Sequence, residues 1–144
     1  MNTVVRQEFP WGWRISMFEP RLCVSKNDAL ELQYLDGYRR AMTQRQGAAT
    51  NTYNQKVKAV RDLVCLCAKP IGRIDGLVDI RVSFNPSTSW DDDAGALVAT
   101  WIVDGLTDAG LWTKDRRVLR WLSVRTVRDQ VAPAIVVEIE RVSS

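Results

Sequence analysis

The residues whose types and spacing suit chemistry are three consecutive aspartates, Asp91-Asp92-Asp93, and a further carboxylate, Asp115, one helix length on. Carboxylates are hard oxygen ligands of the kind magnesium and manganese prefer. The chain has no histidine, so imidazole metal ligation, imidazole acid–base catalysis and any triad built on histidine are excluded. If 90–93 is extended, Asp91 and Asp93 project to one side and Asp92 to the other, because strand side chains alternate. A metal held there keeps waters, one of which can serve as the nucleophile for a phosphodiester. A plainer reading competes: acidic residues at a helix start stabilise its dipole and cap it. Spacing alone favours the plainer reading.

The elements that must position these carboxylates follow from the apolar pattern. A short strand is expected over 3–9, ended by Pro10 and followed by the punctuation Trp11-Gly12-Trp13. From there to about 51 the pattern is weak, with a short helix expected around 28–40 and a polar, flexible stretch near 43–54. Val57, Val60, Leu63, Val64 and Cys67 recur at helical spacing over 54–68, and Pro70 and Gly72 stop that helix. Alternation then predicts a half-buried strand over 77–84, with Val78, Ile80, Val82 and Phe84 on one face. Turn residues over 85–89 lead into the acidic run, from which an aspartate-capped helix should extend to Gly110. Two β-rich runs, 118–127 and 135–142, close the chain, and 128–133 reads as a hairpin between them.

The order β-(irregular/short α)-α-β-α-β-β points to an α+β fold with a mixed, largely antiparallel sheet and helices packed against it. The length of 144 residues suits a single domain over 1–144. No run is apolar enough for a membrane helix and the N-terminus lacks a secretory apolar region, so a soluble, intracellular protein is expected. Cys23, Cys65 and Cys67 lack metal-ligand spacing and read as buried thiols.

Net charge is only +3, so its distribution matters more than its sum. Arginine outnumbers lysine fifteen to five, and the guanidinium fork matches phosphate well. The stretch 114–128 carries six basic residues against one acid. Lys114, Arg116, Arg117 and Arg120 are its candidate DNA contacts; Arg125 and Arg128 read equally well as a solvated strand face. Among the tryptophans, Trp11, Trp13 and Trp90 invite a stacking role on unpaired bases, although packing is the commoner use. Trp101 and Trp121 are expected in the core.

The register Asp91-x-Asp93, then Asp104-Gly105-Leu106-Thr107-Asp108-Ala109-Gly110-Leu111-Trp112, then Asp115 resembles the core signature of the RusA family of Holliday-junction resolvases. These are small homodimeric endonucleases, often encoded by phages and prophages, that use magnesium or manganese. The close match covers 90–118. The resemblance implies that Asp91, Asp93 and Asp115 are catalytic and metal-binding, that Asp92 is a spacer, and that Asp104 serves packing or capping. It further implies a homodimer acting on branched DNA in the bacterial cytoplasm. An isologous dimer suits the two-fold symmetry of a four-way junction, which must be cut in opposing strands.

Two positions depart from the family pattern. Ala94 stands where an asparagine is usual, and the family's helix lysine falls at Thr100. Threonine cannot supply positive charge to a transferring phosphate, a main source of catalysis in such reactions. Lys114, Arg116 and Arg117, beside Asp115, are candidates to replace it. The alternative is a catalytically weakened or inactive member that still binds branched DNA; a third reading is an unrelated domain whose aspartates only cap a helix.

Overall fold

Apolar and polar residues alternate along most of the strands, and that alternation decides which face of the sheet is buried. The computed structural model describes residues 4–19, 22, 23, 25, 52–86, 90, 94–114, 117–128 and 133–142. Its elements are β1 (Val4–Phe9), β2 (Gly12–Met17), α1 (Thr52–Ala68), a 3-10 turn (Lys69–Ile71), β3 (Val78–Phe84), α2 (Ala96–Asp108), β4 (Leu119–Thr126) and β5 (Ile135–Arg141). They form the expected α+β fold, with a five-stranded sheet in the order β1-β2-β5-β3-β4. The β3–β4 pair is parallel and the other pairs are antiparallel. The short helix expected around 28–40 and most of the polar stretch lie outside the described residues.

Two expectations about the strands are corrected. A strand, β2, occupies Gly12–Met17, in the span that includes the expected punctuation. Gly12 belongs to the ladder: a Cβ there would lie 1.9 Å from the Ile139 carbonyl oxygen, so the close approach of β5 requires glycine. Second, β4 and β5 do not form a hairpin, because β3 lies between them and pairs with both. The unit β3–α2–β4 is a parallel crossover with α2 as its connection, the usual way to join parallel neighbours.

Trp13, Ile15 and Met17 of β2, the apolar residues of β3, and Ile135, Val137 and Ile139 of β5 are buried in one cluster. Val60, Val64 and Ala68 of α1 and Val98, Ile102 and Leu106 of α2 complete it. The helices meet at Gly105, where a Cβ would come within 2.9 Å of the Arg61 carbonyl oxygen. Arg61 also clamps Asp108 through two bonds of 3.0 and 2.9 Å.

Trp101 is buried as expected, but Trp121 is 64% exposed. A register shift between Val78 and Asp79 makes Arg120 an extra residue in β4, so Trp121 pairs with Asp79 rather than with Ile80. A one-residue slip turns a side chain to the other face of the sheet, and here it moves Trp121 out of the core. The cysteines are free and half-buried rather than buried. Burial pushes the Cys23 thiol up to about 11.

Candidate functional site

At the start of α2, Trp90 is 6% exposed and its ring lies 5.7 Å from Phe84. Its carbonyl accepts a 2.8 Å hydrogen bond from Arg128 Nη2, which ties the end of β4 to the loop before the helix. Five residues on, Gly95 is the N-cap, and a Cβ on it would fall 2.4 Å from the Phe84 ring. Trp90 and Gly95 are thus both seated on Phe84. Asp91, Asp92 and Asp93 lie between them and outside the described residues. Because the cap is Gly95 and the first turn contains no acid, the aspartates are neither cap nor first-turn residues of this helix.

Thr100 is exposed and its hydroxyl donates to the Leu97 carbonyl at 2.6 Å. That bond occupies it with its own helix, and the position carries no charge.

At the far end of α2, Gly110 (φ 86°) donates to Thr107 O at 3.0 Å and Leu111 donates to Leu106 O at 3.4 Å. These paired bonds form a Schellman motif, with Gly110 in the left-handed position that glycine favours. Leu106 and Leu111, both fully buried, make its apolar contact. Trp112 continues the anchor, its indole donating to Thr107 Oγ1 at 2.8 Å. The chain is then fastened to the N-terminal end of β3 by Ile74 N–H to Leu111 O and Val78 N–H to Val118 O, each 2.8 Å. Lys114 and Arg117 are set between these bonds. Asp115 and Arg116 lie outside the described residues.

The 13 residues of α2 span about 20 Å at 1.5 Å per residue. The residues bracketing the acidic run and those bracketing Asp115 therefore stand at opposite ends of the helix and of β3. An aspartate side chain and a metal–oxygen bond of about 2 Å do not cross that span. The donor chemistry suits a hard divalent cation, but one chain does not bring the brackets of all three carboxylates together. Among the described residues no group of three potential ligands gathers.

The end of β3 beside Lys114 and Arg117 is strongly basic. Two clefts of about 300 Å³ each share Arg73, Ile74 and Asp75 as a common wall. Lys114 and Arg117 line one, and Arg6 and Arg141 the other. Among the described residues, five cations thus face two acids, Glu8 and Asp75. Among the described residues Lys114, Arg117, Arg6 and Arg141 have no carboxylate within ion-pair distance. Arg73 has only a loose 3.9 Å contact with exposed Asp75.

The opposite sheet face contrasts with this. Arg14 and Arg81 bond Glu138 and Glu140, each at 3.1 Å. Arg120 clamps Asp79 at 3.0 and 2.7 Å. That hydrogen bond, more than the accompanying charge attraction, holds the Asp79 carboxyl below its ordinary range. Arg125 donates to Ser83 at 3.1 Å. Of the expected DNA contacts, then, Lys114 and Arg117 keep uncompensated charge, whereas Arg120 is engaged by a carboxylate. Trp13 and Trp90 are buried, and Trp11 stacks on Phe9 at 4.9 Å.

Arg6, Arg73 and Arg141 were not singled out by the sequence pattern. Each is a lone basic residue, and they converge because β1, the segment after α1 and the end of β5 meet at one end of the sheet. No protein-family model matches the chain, and no curated protein matches it.

Proposed function

We propose that the chain is a divalent-metal-dependent endonuclease that cuts four-way junctions or other branched DNA as a homodimer. The observation that carries this reading is the basic cleft beside the Asp115 bracket, together with a helix start whose capping duty falls on Gly95 rather than on the aspartates. The RusA-like register of Asp91, Asp93 and Asp115 supports it.

Asp91, Asp93 and Asp115 would hold Mg2+ or Mn2+. Such an ion, when bound, neutralises charge on the phosphate and lowers the pKa of a bound water. Lys114 and Arg117 hold the DNA backbone against the site, and phosphate contacts of this kind fix register without reading sequence. Since the two sets of brackets stand about 20 Å apart along α2, the acidic run of one copy is completed by Asp115 of another. A two-fold dimer then presents two equal sites to a substrate with two-fold symmetry. The described residues include no helix long and apolar enough to cross a membrane. The substrate places the protein in the bacterial cytoplasm, encoded by the cell or by a phage or prophage.

The competing reading is a branched-DNA-binding protein without catalysis, favoured by the neutral, self-bonded Thr100. The test incubates purified protein with a labelled four-way junction and a linear duplex, with magnesium or manganese, beside Asp91→Asn and Asp93→Asn. Paired, metal-dependent nicks in the junction, abolished in both variants, are expected. Tight junction binding with no nicking, reversed by Thr100→Lys, selects the competing reading; neither binding nor nicking rejects both.

A further inference from the structure

At the open edge of the sheet, β4 pairs with β3 on one side, and no further strand lies beyond it among the described residues. Trp121 is 64% exposed and Leu122 36%. A long, apolar edge is a template for another strand, and soluble proteins usually blunt such edges with charge, proline or a bulge. β4 carries a bulge at Arg120 and charges at Arg120 and Arg125, but between them Trp121-Leu122-Ser123-Val124 is regular and uncharged. The opposite edge, β1, is protected in the usual way by Arg6, Gln7 and Glu8.

We infer that β4 pairs antiparallel with β4 of a second copy about a two-fold axis at Ser123, and that this edge is the dimer interface. In this register Trp121 faces Arg125 of the other copy on the outer side of the sheet, a cation–π pair made twice. Leu122 faces Val124 on the core side, and Arg120 faces Thr126. Moving the axis one residue to Leu122 sets Trp121 against Ser123, and moving it to Val124 sets Arg125 against Ser123, so of these registers the one at Ser123 pairs Trp121 with Arg125.

The same register has a consequence at the ends of the strand. With Arg120 the extra residue of the bulge, Val118 of one copy comes opposite Val127 of the other, next to Arg128, across a strand spacing of about 5 Å. Arg128 holds the Trp90 carbonyl, and Val118 is the anchor after Asp115. A pairing chosen on apolar and charge grounds therefore brings the Asp115 bracket of one copy to the acidic-run bracket of the other. Because a two-copy enzyme is what the proposed function requires, the interface rests on that reading.

The test is Ser123→Cys under mild oxidation. Symmetry-related Cα atoms across an antiparallel pair lie about 4.5 or 5.5 Å apart, within the range a disulfide spans. Most of the chain should run as a covalent dimer on a non-reducing gel, while wild type and Val5→Cys, on the β1 edge, stay monomeric there. In parallel, Trp121→Lys with Leu122→Lys should halve the mass found by light scattering, with the circular dichroism spectrum unchanged. Cross-linking no greater than in Val5→Cys, or a dimer that survives the double variant, overturns the interface. A cleaving protein without the Ser123 cross-link defeats the interface alone, and a cross-linked dimer that never cleaves defeats the nuclease reading alone.

Discussion

Gly95 does two jobs at the start of α2: it caps the helix without a side chain and makes room for the Phe84 ring. Gly95→Ala puts a methyl within 2.4 Å of that ring, and overpacking of this kind costs about 1–3 kcal/mol. Urea denaturation should show a lower midpoint with an unchanged slope. A second residue-scale prediction concerns Asp79, whose carboxyl is held below the ordinary range by Arg120. Such a group stabilises the fold above the unfolded aspartate value of about 3.9. That contribution is lost as pH falls through the lower, folded value. Arg120→Gln should therefore reduce stability at neutral pH, and the gap to wild type should close as pH falls below about 4, in chemical denaturation across pH. At this scale the aspartates stand out in the sequence by residue type and register, and they lie outside the described residues. The fate of the arginines was not legible: Arg120 and Arg117 look alike in sequence, and only folding gives one a carboxylate partner and leaves the other facing a cleft.

Among the elements, α1, β3 and the end of α2 were read closely from periodicity and stop signals, because each is a continuous pattern with its own punctuation. Gly110 was expected to end α2, and it does so in a left-handed Schellman position. Gly110→Ala should cost roughly 1 kcal/mol through the strain of a side chain at positive φ, seen as a fall in thermal midpoint. The misreadings also have physical causes. Gly12 looked like a break because a strand glycine is uncommon, yet β5 approaches too closely there for any side chain. The last two strands looked like a hairpin because their alternation reveals a strand but not its partner. Trp121 looked like core because one extra residue, Arg120, reverses the phase of every residue after it. A bulge of this kind has no local sequence signature.

Over the whole molecule, charge is sorted between two regions. The outer sheet face pairs Arg14, Arg81 and Arg120 with Glu138, Glu140 and Asp79, whereas the end of β3 gathers Arg6, Arg73, Lys114, Arg117 and Arg141 around two acids among the described residues, Glu8 and Asp75. Each phosphate contact contributes a slope of about 0.9 to the logarithmic salt dependence of binding to duplex DNA. Arg73→Gln and Arg117→Gln should each lower that slope by about one and weaken binding evenly across sequences. Arg81→Gln, on the paired face, should leave the slope unchanged in a titration by fluorescence anisotropy. The chain also separates the brackets of its candidate ligands by the length of α2, and the proposed function therefore requires a site shared between two copies. Mixing two inactive variants tests this most directly. Asp91→Asn/Asp93→Asn protein is mixed with Asp115→Asn protein, allowed to exchange, and assayed on a labelled four-way junction with magnesium beside wild type. Each mixed dimer then holds one site with all three carboxylates intact, and nicking of a single strand should return although neither variant cuts alone. A mixture as inactive as its components, under conditions where wild type cuts and the copies are shown to exchange, would contradict a site shared between two copies.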